Sequence, residues 1–253
     1  MKQIIVNADD FGINEVVTAE IVRMMELGAI SSTSVMANGA CLDEAKRLAD
    51  LHPEVSFGVH LCLSEFGSIT KSIGLHRAGL TDEDGYFVHK AIFRLKNLDN
   101  VEVKKAIKDE LNAQIDVISG LGFPVSHADS HHHVHTIYSL REVFAEVLND
   151  RNIKKLRIEE DFLSLRMKAH VGLWIRHRNL NKYYQSRFTT TDAFYSYSEY
   201  LKFGKNKDKE KIVELMCHPG HPGEQYRNEM KLVESKDALS LNNIKLISYN
   251  ELY

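Results

Sequence analysis

Apolar residues fall along the chain in two rhythms, short continuous runs and longer stretches at helical spacing. Continuous β-branched runs read as strands buried on both faces. They are expected at about Lys2–Ala8 (Ile4, Ile5, Val6), Ser32–Met36, Val55–Val59, Val125–Ala128, Lys155–Ile158, Ile212–Met216 and Lys245–Ser248. Between them, Val17, Ile21, Met24 and Met25 predict a helix that Asn14 caps and Gly28 ends, running to about Leu27. Further helices are expected over about Leu42–Asp50, Val103–Leu121 and Leu140–Leu148. In the second of these, Ile107, Leu111, Ile115 and Ile118 mark the buried face, and Gly120, Gly122 and Pro124 stop it.

Strands that alternate with helices predict a parallel sheet. Seven or eight strands in 253 residues favour an α/β fold, a single-domain and irregular (β/α) barrel-like one, over an open sheet. No repeat and no low-complexity linker divides the chain, so residues 1–253 read as one domain. Two stretches escape the pattern. Residues 63–100 read as a loop-rich insertion, and such excursions from compact domains are more often functional than idle. Residues 162–203 are basic and aromatic. Between 162 and 187 they hold Arg166, Lys168, Arg176, Arg178, Lys182 and Arg187 beside Leu165, Val171, Trp174, Ile175, Tyr183 and Tyr184, with no acidic residue. That composition suits a solvated helix packed on the domain, a wall of a substrate site, or a surface leaning on anionic lipid.

Composition narrows the classes. A net charge of −3 gives no general reason to expect nucleic acid as a partner. Cys41, Cys62 and Cys217 are three and widely spaced, which implies neither a disulfide framework nor a structural zinc site. The N-terminus turns acidic too early for a signal peptide, and no apolar run approaches 18 residues, so the cytoplasm is the expected compartment and no transmembrane segment is expected.

Candidate chemistry gathers at strand ends. Five of the 13 histidines, His127, His131, His132, His133 and His135, fall within nine residues, with Asp129 among them. Asp9 and Asp10 close the first strand, His60 the third and His218 a late one, while Arg157 lies within the strand between the last two sites. Side chains at the C-terminal ends of parallel strands share one rim. Two adjacent carboxylates there are costly to bury without a cation. A catalytic metal takes about three protein ligands and leaves a position for water. One carboxylate and two imidazoles would serve, leaving a second carboxylate to accept a proton from the activated water. A histidine from the opposite side would protonate a leaving amine or stabilise an oxyanion. Metal-assisted hydrolysis of an acyl bond or a phosphoester follows, and spacing alone does not choose between them.

Four motifs, Asn7-Ala8-Asp9-Asp10-Phe11-Gly12, Gly58-Val59-His60-Leu61, His127-x-Asp129-Ser130-His131-x-His133-x-His135 and Cys217-His218-Pro219, resemble in order those of the YdjC-like carbohydrate deacetylases. That family includes the chitooligosaccharide deacetylases. The resemblance covers about Lys2 to Gly220 and leaves 63–100 and 162–203 unmatched. It implies a barrel-like hydrolase that removes N-acetyl groups from amino-sugar saccharides of the N-acetylglucosamine type with one divalent metal ion. By motif position Asp10, His60 and His131 are the implied metal ligands, Asp9 the base, His218 the acid, and Arg157 a group orienting Asp9 or substrate; the roles of Asp9 and Asp10 are interchangeable at this stage. His127, Asp129, His133 and His135 stand behind the ligands or touch substrate. The resemblance implies magnesium, whereas the donor set suits zinc, cobalt or nickel. It is compatible with a homodimer, and the basic segment leaves peripheral membrane contact open. A metal phosphoesterase is the competing enzyme reading, weakened by the lack of bridging carboxylates for a second metal. A catalytically silent metal- or sugar-binding protein is the competing non-enzyme reading, and a spare carboxylate argues against it.

Overall fold

The computed structural model describes residues 1–95, 98–159, 171–205, 209–240 and 243–253, with the backbone alone for 171–174. The parts of the basic segment at Leu165, Arg166 and Lys168 therefore lie outside the described residues, as do the side chains of Val171 and Trp174. Seven parallel strands form one curled sheet: β1 (Lys2–Phe11), β2 (Ser32–Val35), β3 (Ser56–Leu61), β4 (Val125–Ser130), β5 (Ala193–Ser196), β6 (Ile212–Cys217) and β7 (Ile244–Leu246). Their order is β4-β3-β2-β1-β6-β5. β2 pairs with the Asn7–Phe11 end of β1, and β7 pairs with its Lys2–Ile4 end. Helices α1 (Glu15–Glu26), α2 (Leu42–Ala49), α3 (Ile73–Arg77), α4 (Val101–Gly120), α5 (Arg141–Asp150), α6 (Val171–Gln185), α7 (Tyr197–Glu199) and α8 (Glu224–Glu234) connect or flank the strands.

The barrel-like expectation holds as a curled sheet, with two departures. Lys155–Ile158 is not a strand. It makes only single bridges, Ala128 to Leu156 on one side and Lys155 to Thr189 on the other, too few consecutive pairs for a ladder. Those bridges lead from β4 towards the segment that becomes β5. β5 itself was not expected, because its four residues lie inside the basic aromatic stretch and show no alternation.

The local signals explain the long elements. Asn14 accepts from Val17 N–H at the start of α1, as its capping position requires. Asn100 does the same for Glu102 and Val103, which starts α4 two residues earlier than its apolar spacing suggests. Ile107, Leu111, Ile115 and Ile118 all face the core. On that buried face α4 also carries Glu110, whose carboxylate accepts from Ile69 N–H, Thr70 N–H and Thr70 Oγ1 at 2.7–2.9 Å. Gln114 grips both N–H and C=O of Cys62. The 63–100 excursion is thus fixed to α4 by buried polar groups, and its first turn is held against the C-terminal rim of the sheet.

The described part of the basic segment is packed helix and strand. Leu180 and Tyr184 of α6 are buried, and the Tyr184 hydroxyl donates to the carbonyl of His135. Tyr183 stacks beneath the guanidinium of Arg187. No described helix is long and apolar enough to cross a membrane.

Candidate active site

β1 does not stop at Ala8; its pairing register shifts between Ala8 and Phe11. Adjacent strand residues normally point to opposite faces. Here Asp10 takes a left-handed backbone, φ 72°, so the bulge turns Asp10 into the same cleft as Asp9. Aspartate tolerates that conformation better than most residues, and strain of this kind concentrates at functional sites. The cleft, about 610 Å³, is lined by Asp9, Asp10, His60, His131, His133 and His218 among the expected residues. His127 and His135 do not line it. His127 is fully buried, stacks on Tyr249 at 3.7 Å between ring centroids, and burial pushes its pKa down to about 3. His135 is fully buried with its Nδ1 against Ser130 Oγ, and burial likewise lowers it to about 3.

The centre of the cleft is one oxygen. Asp10 Oδ1 lies 3.1 Å from His60 Nε2 and 2.9 Å from His131 Nδ1. Each imidazole is backed by a carboxylate on its other nitrogen: Asp129 lies 2.7 Å from His60 Nδ1, and Glu65 lies 3.2 Å from His131 Nε2. With those N–H groups committed, a neutral ring turns a lone pair towards Asp10. Lone pairs facing each other at about 3 Å require a proton or a cation between them. Burial opposes charge on His60, yet the Asp129 and Asp10 carboxylates outweigh it and hold its pKa well above the usual imidazole range when no other cation is present. Burial would raise Asp10, but hydrogen bonds from His131, His221 and His60 hold it well below the usual carboxylate range.

The wider charge balance makes the same demand. Asp9, Asp10, Asp129 and Glu214 are all buried, and the guanidinium of Arg157, itself fully buried, is the permanent cation among them. Arg157 grips Asp9 with two hydrogen bonds, at 2.7 and 2.8 Å, reaches Asp129 at 2.9 Å and donates its Nε to Glu214 at 2.8 Å. Asn7 adds a third hydrogen bond to Asp9, at 2.8 Å. Burial alone would raise Asp9, but Arg157 outweighs it and keeps Asp9 ionised below its ordinary range. Arg157, with His60 charged only while no other cation is present, balances these carboxylates in part, even with Glu214 raised by burial. A divalent cation fits this donor set of one carboxylate and two carboxylate-backed imidazoles. Asp10, His60 and His131 each offer one ligand atom, and these lie within 4.8 Å of one another, close enough to be shared by one ion.

His218 follows β6, which pairs with β1 on the edge away from β2, so it comes beside Asp9. Burial lowers its pKa, but Glu229, 3.9 Å from its Nδ1, together with Asp9 and Asp10 raises it above the ordinary value. His133 also follows a left-handed turn, and burial with the Arg157 charge keeps it neutral, its pKa pushed down to about 4. Three participants were not foreseen. Glu65 comes from the unpatterned excursion. His221, 3.0 Å from Asp10 Oδ2, stands one residue past the Cys217-to-Gly220 stretch. Glu214 sits in an apolar run, where a lone carboxylate in a buried strand was the available signal.

A family model of YdjC-like proteins matches residues 3–246. The chain belongs to the YdjC-like family. Among curated members, the carbohydrate deacetylase of Thermoanaerobacter pseudethanolicus is 29% identical over the full length of both chains. The carbohydrate deacetylase of Halalkalibacterium halodurans is 30% identical, covering 96% of this chain and 97% of its own. The fold matches the crystal structure of an Enterococcus faecalis protein described in terms of cellobiose-phosphate cleavage, with a TM-score of 0.77 and 24% identity over 99% of this chain and 98% of that one. This YdjC-like chain thus shares its whole length, and not merely a motif, with its relatives.

Proposed function

We propose that this YdjC-like chain is a metal-dependent carbohydrate deacetylase that hydrolyses the N-acetyl group of an N-acetylglucosamine-type saccharide. The observation that carries the reading is the convergence of His60 and His131 on Asp10 beside a separate, ionised Asp9. The names of the full-length relatives support the reaction class. Asp10, His60 and His131 would hold the ion, which supplies Lewis acidity for water and the acetyl carbonyl when bound.

The chain's own residues divide the remaining work. Asp9 accepts the proton from the attacking water, and Arg157 fixes the direction in which its oxygens point. His218, which lines the cleft at the end of β6 and whose pKa its carboxylate neighbours raise above the ordinary value, donates a proton to the departing sugar amine. Asp129 keeps His60 in one tautomer and orientation. His133, neutral and lining the cleft, is placed to bond a sugar hydroxyl or the acetyl oxygen.

The test is acetate release from a panel of N-acetylated mono- and oligosaccharides with magnesium, zinc or cobalt, and with chelator, for the wild type and Asp9→Asn. Chelator-sensitive release that falls by about 10²- to 10⁴-fold in Asp9→Asn is expected, with metal binding retained. Undiminished turnover in that variant would remove Asp9 from the mechanism.

A further inference from the structure

The cleft contains a second convergence of metal-binding atoms that the proposed reaction does not use. It lies on the outer side of His131. Glu65 Oε2 is 3.2 Å from His131 Nε2 and 3.9 Å from His132 Nε2, and the three residues' ligand atoms lie within 4.8 Å of one another. His89 stands just outside this group: its Nδ1 is 3.9 Å from Glu65 Oε1, its ring meets that of His132 edge-on at 5.6 Å, and a turn of its exposed side chain would bring it in as a further imidazole.

The arrangement is built in two respects. Ser64 Oγ lies 2.9 Å from His132 Nδ1 and holds the ring with Nε2 turned towards Glu65. His132 reaches that position through a left-handed backbone, φ 52°, followed by another at His133, φ 54°. Two consecutive non-glycine residues in this region are strained, so the surrounding structure maintains the turn that presents His132. Unlike Asp10, the outer group is open to solvent: side-chain exposure is 40% for Glu65, 26% for His132 and 63% for His89.

We propose that Glu65, His132 and His89 form an outer site for a borderline transition-metal ion of the zinc, cobalt or nickel class, adjoining the Asp10–His60–His131 group through His131. Imidazole-rich donors select such ions over magnesium, which prefers oxygen. The outer site is the weaker one, because its ligands are exposed and must be ordered on binding. Glu65 would bind the outer ion and also backs His131, an inner ligand. An outer ion draws the carboxylate away from His131 Nε2, so filling the outer site loosens the support of an inner ligand.

Metal-free protein titrated with zinc, by calorimetry and by equilibrium dialysis with elemental analysis, tests this independently of any catalysis. Wild type is expected to bind two zinc ions per chain, and a parallel titration with magnesium to show no outer ion. His132→Asn, chosen because asparagine adopts the left-handed backbone readily, is expected to bind one, as is Glu65→Gln. Asp10→Asn should lose the tighter ion and keep the weaker. One zinc per chain in wild type at millimolar zinc, or two in both His132→Asn and Glu65→Gln, would overturn the outer site. Loss of the inner ion alone would count against the proposed active site and not against this one.

Discussion

Replacing Arg157 with methionine isolates the electrostatic logic of the site. The side chain is fully buried and contacts three carboxylates: Asp9, Asp129 and Glu214. Methionine fills most of the volume and removes the charge. Removing one partner of a buried ion pair typically costs about 3–5 kcal/mol. A second route gives a similar figure, since protonating one carboxylate at pH 7 against a reference pKa near 4 costs roughly 4 kcal/mol at about 1.4 kcal/mol per unit. Glu214, whose pKa burial already raises, takes up the proton most readily. A loss of about 4 kcal/mol is a large part of a typical 5–15 kcal/mol stability. The sign with pH is also fixed. In the variant the carboxylates' folded pKa values lie above their unfolded ones, so the native state binds more protons and stability rises as pH falls from 7.5 towards 5.5. In the wild type Asp9 and Asp129 lie below their unfolded values, so their contribution is present above about pH 4 and fades as pH falls below it. Urea unfolding of both proteins at the two pH values reads this directly. A variant within about 0.5 kcal/mol of wild type, or a loss equal at both pH values, would refute the reasoning.

Other perturbations follow from the same contacts. Asp129→Asn should keep the fold but weaken metal binding by about 10- to 100-fold, measured by competition with a chelating dye, because His60 loses its orienting carboxylate. Gly58→Ala should destabilise by about 1–3 kcal/mol in urea unfolding, since the new methyl would stand 2.5 Å from the buried His127 ring. The pH profile of kcat/KM should decline on the alkaline side as His218 loses its proton above its ordinary range, and Glu229→Gln should move that decline to lower pH. An alkaline limb unmoved in that variant would assign it to another group.

Much of the fold is legible in the chain because its signals are local. The run Ile4-Ile5-Val6 needs only its own apolarity to be a buried strand, and Asn14 and Gly28 delimit α1 by capping chemistry that tertiary contacts do not alter. The polar residues at successive strand ends likewise announce a shared rim, and the histidine cluster marks its richest part. What the chain could not show depends on residues far apart in sequence. Asp9 and Asp10 are chemically identical neighbours. A bulge and left-handed φ turn one towards two imidazoles, while Arg157, 148 positions away, claims the other. Neither the bulge nor the clamp has a local signature. Glu65 looks like any loop carboxylate until Glu110 and Gln114 of α4 fasten its loop against the rim. His127 and His135 look equal to His131 in the sequence, yet His127 sits deeper along β4, stacked on Tyr249, and the turn after the strand carries His135 into the core against Ser130. The sequence by itself determined which chemical groups are available and on which end of the sheet they gather. The tertiary structure alone decided which of them meet, because sheet order and backbone handedness set distances of a few ångströms between residues that local pattern cannot relate.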